Sequence, residues 1–307
     1  MITRRRAVKL IGATTASVCL PIGSSRIFAA EGSMLRRAIP STGEKLPVIG
    51  LGSAVTFEVP FNSPKVTDIT EVITRFVRRG GKVIDSSPMY GNAEAMIGDI
   101  AAKAGLTKSL FIATKVWTRG KEAGIAQMNQ SLARFKTKPI DLMQVHNLVD
   151  VDTHMSTLRG WKSSGLIRYT GITFSEPKGF ADIERNMRSQ KPDFVQINYS
   201  IADRGAAQRI LPLAQELRMG VIINRPFGSG GVIRAVQGRP LPPWAAEFDC
   251  HSWAQFLLKW VVSHPAVTCV IPATNNPQHL EDNMGAGFGR LPDAKTRERM
   301  AALFSVS

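Results

Sequence analysis

Between residues 48 and 272 the chain repeats one pattern eight times: a short apolar, β-rich run, then a segment whose apolar residues fall three and four apart. The runs are 48–51, 82–85, 110–115, 140–145, 168–173, 193–198, 221–224 and 267–272. Residues three and four apart share one helix face, and continuous apolar runs of this length suit strands covered on both sides. Ile69, Val72, Ile73, Phe76 and Val77 show the helical spacing after the first run, and Gly80-Gly81 stops it. Strict alternation predicts a parallel sheet with right-handed crossovers, and eight units predict closure into a (β/α)8 TIM barrel. With 307 residues, 44% of them hydrophobic, the chain can bury one core of that size. A doubly wound open sheet is the competing architecture. It calls for a glycine fingerprint opening a helix after the first strand, and GLGSAV (50–55) has no third glycine and opens no immediate helix. Ahead of the first unit, LRRAIPSTGEKLPVIG reads as a β-hairpin turning at Ser41-Thr42-Gly43-Glu44, placed to plug the barrel floor.

The charge is uneven along the chain. Of the formal net charge of +15, five basic residues with no acid lie in the first thirty positions: Arg4, Arg5, Arg6, Lys9 and Arg26. Beyond them Arg and Lys are scattered along helices with acids between, without a basic tract or interleaved aromatics, which argues against nucleic-acid binding. The first thirty residues have a basic start, an apolar stretch too short for an ordinary transmembrane helix, and then small residues. Thr3-Arg4-Arg5-Arg6-Ala7-Val8-Lys9 resembles a twin-arginine (Tat) export signal, with Ala7 where Phe is usual. The resemblance implies residues 1–30 as a signal peptide cut near Ala29 or Ala30, and 31–307 as a single barrel domain. It implies the Tat machinery as a partner, a periplasmic or otherwise extracytoplasmic location, and no stable membrane span after processing. An uncleaved anchor is the alternative. Cys19, Cys250 and Cys269 have no metal-ligand spacing, so neither a metal site nor a disulfide is expected.

Catalytic groups of such a barrel gather at the C-terminal ends of its strands. Three consecutive strand ends carry Asp85, Lys115 and His146, with Tyr90 five positions after the first. Lys115 closes the run SLFIATKVW, where an ammonium has lost much of its water and needs an anion; Asp85 on the neighbouring strand provides one. A cation beside a phenol stabilises its ionised form, so the Tyr90 pKa is expected to fall from about 10 towards the working pH. Such a group donates a proton to a developing alkoxide, and a neutral imidazole nearby orients a carbonyl oxygen.

VIDSSPMYGNAEAMIGD, LFIATKVW, DLMQVHN and CVIPATNNPQHLEDN resemble the aldo-keto reductases, in order and at the expected spacing, from about residue 35 to 300. The resemblance implies hydride transfer from a reduced nicotinamide to an aldehyde or ketone. Tyr90 would be the general acid, Lys115 and Asp85 its tuning pair, and His146 the residue orienting the substrate carbonyl. It also implies a cofactor site. Gln196 matches the family's carboxamide contact, and Thr173 keeps the hydroxyl of a Ser-Asn pair whose amide is replaced by Phe174. Asn224 stands where an aromatic ring usually stacks on nicotinamide, with Arg225, Pro226, Phe227, Gly228, Ser229 and Gly230 forming the loop over the pyrophosphate. After Pro272, Asp282 and Asn283 match adenine-side contacts. Ala273 and His279 occupy positions where Lys and Arg commonly hold a 2′-phosphate, and Thr274, Asn275 and His279 offer neutral bonds instead. NADPH is the expected cofactor, with NADH a possibility.

Phe57, Trp117 and Trp244 are candidate walls of the substrate pocket, from their places near strand ends and in the loop 238–249. A different class of function stays open: a barrel that binds nicotinamide nucleotide as a sensor or docking module with little turnover.

Overall fold

The computed structural model describes residues 32–304, so the export segment predicted over 1–30 lies outside the described residues. A two-stranded antiparallel hairpin, β1 (Arg36–Ala38) and β2 (Lys45–Pro47), comes first, turning where the sequence places it. Eight parallel strands follow, each hydrogen-bonded to the next in chain order. β3 (Leu51–Gly52) leads to α1 (Lys65–Arg78), β4 (Val83–Asp85) to α2 (Ala93–Lys103), β5 (Phe111–Val116) to α3 (Lys121–Phe135), and β6 (Ile140–His146) to α4 (Val151–Ser163). β7 (Ile167–Phe174) leads to α5 (Phe180–Gln190), β8 (Phe194–Asn198) to α6 (Ile210–Glu216), β9 (Gly220–Asn224) to α7 (Gly231–Ala235) and then α8 (Trp253–Val262), and β10 (Cys269–Val270) to α9 (Pro277–Gly285) and α10 (Ala294–Ala302). Isolated parallel bridges Ile49–Val270 and Gly52–Ala273 join the first strand to the last and close the barrel. Gly52 is required at that seam, because a Cβ there would lie 2.9 Å from the Ile271 carbonyl oxygen.

The core has two parts with different origins in the sequence. Outside the sheet, helix residues at spacings of three and four (Ile69, Val72, Ile73 and Phe76 of α1) pack against the outward side chains of the strands. Inside the barrel, every second strand residue points inward: Val83, Phe111, Ala113, Leu142, Tyr169, Phe194, Ile222 and Cys269 form one apolar cluster. Ile39 and Leu46 of the hairpin join that cluster and plug the floor. The Tyr169 hydroxyl donates to Glu44 Oε2 at 2.6 Å, fastening the hairpin turn to β7.

Lys259, fully buried in α8, donates from Nζ to the carbonyl oxygens of Phe248 (2.8 Å), Phe288 (2.7 Å) and Arg290 (2.9 Å), tying two loops to the helix. Burial pushes its pKa down to about 8. In the unfolded chain it returns to about 10.4, so between the two values the unfolded state binds more protons and this residue adds stability as pH rises. The unfolding free energy of wild type relative to Lys259→Met should therefore grow between about pH 7 and 10. Urea midpoints at the two pH values check it, and a gap that is constant or shrinks would contradict the assignment.

Candidate active site

The alternation that fills the barrel also builds its chemistry. Two residues beyond the apolar layer, the inward positions of β4, β5, β6, β8 and β9 are Asp85, Lys115, Gln144, Gln196 and Asn224. Two further along are His146 on β6 and, in register with it on β7, Thr173. The polar layer is confined to the C-terminal ends of the strands, where a cavity of about 580 Å³ opens.

Lys115 and Asp85 are both buried, with Nζ 2.6 Å from Oδ2. The ammonium also donates to the Ser86 carbonyl oxygen at 2.6 Å. Asp85 Oδ1 accepts from Gln196 Nε2 at 2.8 Å and from Gln144 Nε2 at 3.2 Å. A buried ion pair is favourable only when its remaining hydrogen-bonding capacity is met, and here both carboxylate oxygens are occupied. Burial drives the Lys115 pKa down, but the attraction of Asp85, then of Tyr90, outweighs it and the net value lies above that of an ordinary lysine. The ammonium is a fixed positive charge beneath the cavity.

Tyr90 sits over that charge, with Nζ 5.4 Å from its ring centroid. Its ring meets His146 edge-on at 6.1 Å between centroids. The expected fall in the Tyr90 pKa is corrected here. Burial raises it and outweighs the pull of Lys115, so the phenol titrates above its ordinary value. A desolvated phenolate is costly, and Lys115 recovers only part of that cost. Tyr90 therefore stays protonated at neutral pH, the state a proton donor needs. His146 is held neutral, its pKa pushed down to about 3 by burial and then by the Lys115 charge.

These two groups set a pH prediction. His146 has already lost its second proton above about pH 3 and keeps only the one of the neutral ring, and Tyr90 keeps its own beyond the ordinary tyrosine value. The pH profile of kcat/KM for a reaction using this site should be flat from about pH 5 to 8, where an unperturbed histidine would titrate. An inflection near pH 6.5 that disappears in His146→Gln would contradict the neutral imidazole.

The pattern of the Aldo/keto reductase family matches residues 48–302, from the first barrel strand to the last helix. The chain belongs to the aldo/keto reductase family. This aldo/keto reductase is 26% identical over 258 residues to the methylglyoxal reductase YeaE of Escherichia coli (strain K12), covering 81% of this chain and 89% of that one. It is also 26% identical over 251 residues to an aldo-keto reductase of Mycobacterium sp. (strain KMS), covering 78% and 83% of the two chains. Among solved structures, an aldo/keto reductase from Klebsiella pneumoniae, in complex with NADP and acetate, superposes with a TM-score of 0.74 at 23% identity, covering 87% of this chain and 94% of that one.

The reductase cavity is lined by Asp85, Tyr90, His146, Thr173, Gln196, Asn224, Arg225, Pro226, Phe227, Ser229, Gly230 and Pro272 among the residues singled out from the sequence. Lys115 lies beneath it, and Trp117, 41% exposed, stands beside it with its ring 6.4 Å from that of His146. Gln196 lines the cavity and is also tied into the polar layer. Its Nε2 donates to Asp85 and, at 3.4 Å, to Gln144, while its Oε1 accepts from Thr173 (3.3 Å) and Asn224 (3.4 Å). All four of its hydrogen-bonding positions are used within the protein. Asn224 Oδ1, by contrast, is a buried acceptor without a partner among the described residues. An N–H donor at that end of the cavity, such as a carboxamide, fits it. Arg225, Gly228, Ser229 and Gly230 all have positive φ, a backbone of the kind that forms anion-binding concavities, and the Arg225 guanidinium reaches the Ser175 carbonyl oxygen at 3.0 Å. These features suit a nicotinamide nucleotide.

Two pocket-wall assignments are corrected. Phe57 is fully buried in the cluster between sheet and helices and has no face on the cavity. Trp244 packs against Phe248 and Phe256 with the Arg299 guanidinium 4.1 Å from its ring, an outer-layer contact. Thr274, Asn275, His279, Asp282 and Asn283 are not among the cavity's lining; they lie at the loop before α9 and along that helix, adjoining Ala273 on the cavity rim. Asp282 accepts from Ser252 Oγ at 2.7 Å and Gln255 Nε2 at 2.8 Å, and Asn275 donates to the Thr56 carbonyl oxygen at 3.2 Å. Two positions bonded to the site escaped the sequence reading: Gln144, which donates to Asp85, and Ser87, 3.1 Å from His146 Nδ1. Counting back two residues from His146 finds the first; the second precedes Tyr90 in the turn after β4.

Proposed function

We propose that this chain reduces an aldehyde or ketone to the alcohol at the C-terminal mouth of its barrel, with NADPH as hydride source and NADH as the alternative. The observation that carries the proposal is the buried Lys115–Asp85 pair set beneath a protonated Tyr90 and a neutral His146 on one cavity. Its methylglyoxal reductase relative supports the same class of reaction.

Bound reduced nicotinamide supplies the hydride. Everything else falls to the chain's own side chains. Asn224 and Thr173 hold the carboxamide end, and the loop from Arg225 to Gly230 holds the pyrophosphate. Pro272, Thr274, Asn275, His279, Asp282 and Asn283 carry the adenine end. His146 donates a hydrogen bond to the substrate's carbonyl oxygen and positions it beside the Tyr90 hydroxyl. As negative charge grows on that oxygen, Tyr90 delivers its proton, and Lys115, fixed by Asp85, stabilises the phenolate left behind.

The test is a fluorescence titration of the purified protein with NADPH and NADH in parallel, followed by a panel of carbonyl compounds. Tight binding of at least one nucleotide with turnover is the expected result. Binding without turnover would favour a nucleotide-sensing barrel, and binding of neither nucleotide refutes the cofactor assignment. The absence of Lys and Arg at positions 273 and 279 predicts a smaller preference for NADPH over NADH than two charge-assisted bonds would give.

We also propose that residues 1–30 direct export of the folded protein by the twin-arginine route, leaving a barrel domain over 31–307 in the periplasm or its equivalent. The consecutive Arg4, Arg5 and Arg6 before a short apolar stretch support this. Replacing Arg4 and Arg5 together by Lys should retain the protein inside the cell; unchanged location in a fractionation experiment counts against it.

A further inference from the structure

We infer that Ser87 is a positioning residue that fixes the tautomer of His146. Its hydroxyl is fully buried, with Oγ 3.1 Å from His146 Nδ1, and it accepts from the Met89 backbone N–H at 3.4 Å. A hydroxyl has one proton to give. If His146 Nδ1 were protonated and donated to Ser87, the serine proton would be left without an acceptor in a closed site, at the cost of an unsatisfied buried donor. The bond therefore runs from Ser87 Oγ–H to an unprotonated Nδ1. Because the imidazole is neutral, its single proton is then on Nε2. That nitrogen has no partner among the described residues, and His146 lines the cavity.

The other groups around the ring do not compete for Nδ1. Tyr90 and Trp117 approach with their rings, at 6.1 and 6.4 Å between centroids, and Lys115 is committed to Asp85 and the Ser86 carbonyl. Ser87 thus acts through His146: it makes Nε2 a hydrogen-bond donor facing the substrate oxygen and holds the ring against rotation. The catalytic consequence rests on the reductase reading, whereas the tautomer itself does not.

The chain has five histidines, so nitrogen-15 NMR of the free full-length protein can resolve His146, assigned by its loss in His146→Gln. The expected spectrum has Nε2 protonated and an unprotonated Nδ1 whose resonance is displaced by hydrogen-bond acceptance. In Ser87→Ala that displacement should vanish, and in Ser87→Thr it should return. Carbonyl reduction should follow: kcat down about tenfold in Ser87→Ala, the low end of the scale known for groups that orient metal-binding histidines, with NADPH affinity unchanged and most of kcat recovered in Ser87→Thr. A proton on Nδ1 in wild type, an Nδ1 resonance indifferent to Ser87→Ala, or an unaltered kcat in that variant would overturn the assignment. Should Ser87→Ala fail to fold, the wild-type spectrum and Ser87→Thr still decide it. If wild type turns over no carbonyl, the functional reading fails and the nitrogen spectrum alone judges the tautomer.

Discussion

Tyr90→Phe should lower carbonyl reduction by about 10³-fold or more while leaving nucleotide affinity and stability almost unchanged; a general acid typically contributes 10² to 10⁴ in rate. Among the described residues lining the cavity, the phenol is the group with a proton poised for transfer at neutral pH. In the proposed mechanism His146 keeps its single proton for orientation, and Lys115 lies below with two of its three donors engaged by Asp85 and Ser86. Removing the oxygen breaks no bond within the protein, since the Tyr90 hydroxyl has no hydrogen-bond partner among the described residues. The phenyl ring keeps its edge-on contact with His146. Stability should therefore stay within about 0.5 kcal/mol of wild type. Steady-state kinetics with fluorescence titration check both halves. Retained turnover would show that water or another side chain supplies the proton.

Lys115→Met should cost both stability and activity. The substitution leaves Asp85 as a buried carboxylate with only the amides of Gln144 and Gln196 for company. Breaking one side of a buried pair typically costs about 3–5 kcal/mol, because the remaining charge is uncompensated. Replacing both partners with apolar residues removes that penalty, so Lys115→Met with Asp85→Leu should recover much of the lost stability. It should recover none of the reductase activity, because the phenolate formed on Tyr90 would have no cation beneath it. Chemical unfolding alongside turnover separates the two effects. A single variant as stable as wild type would mean that Asp85 is already neutral or reached by water.

The barrel was legible because continuous apolar runs alternate with segments of period 3.6, and neither signal needs tertiary information. The strand ends carry the site: stepping along β4, β5 and β6 beyond the apolar layer arrives at Asp85, Lys115 and His146. Other features depend on where chains turn in space. Phe57 follows a tight turn in which its N–H bonds the Ser53 carbonyl oxygen at 3.0 Å, and its ring enters the core rather than the cavity. Trp244 belongs to a short 3₁₀ segment, Pro243–Phe248, whose aromatic face is taken up by α8. The Tyr90 pKa is the difference between two opposed effects, the nearby ammonium and the lost hydration; the motif displays only the first. Gln196 shows the same limit, since its position on the strand was readable and its engagement by four neighbouring groups was not.

The most direct measurement is the fate of the transferred hydrogen. Reduced nicotinamide cofactor labelled with deuterium at the transferable position is incubated with the protein and an aldehyde it turns over, and the alcohol is analysed by mass spectrometry. One deuterium is expected on the former carbonyl carbon of the wild-type product, with about 10³-fold less alcohol, or lower still, from Tyr90→Phe. Unlabelled alcohol, or labelled alcohol formed equally well by Tyr90→Phe, would contradict hydride transfer with Tyr90 as the acid.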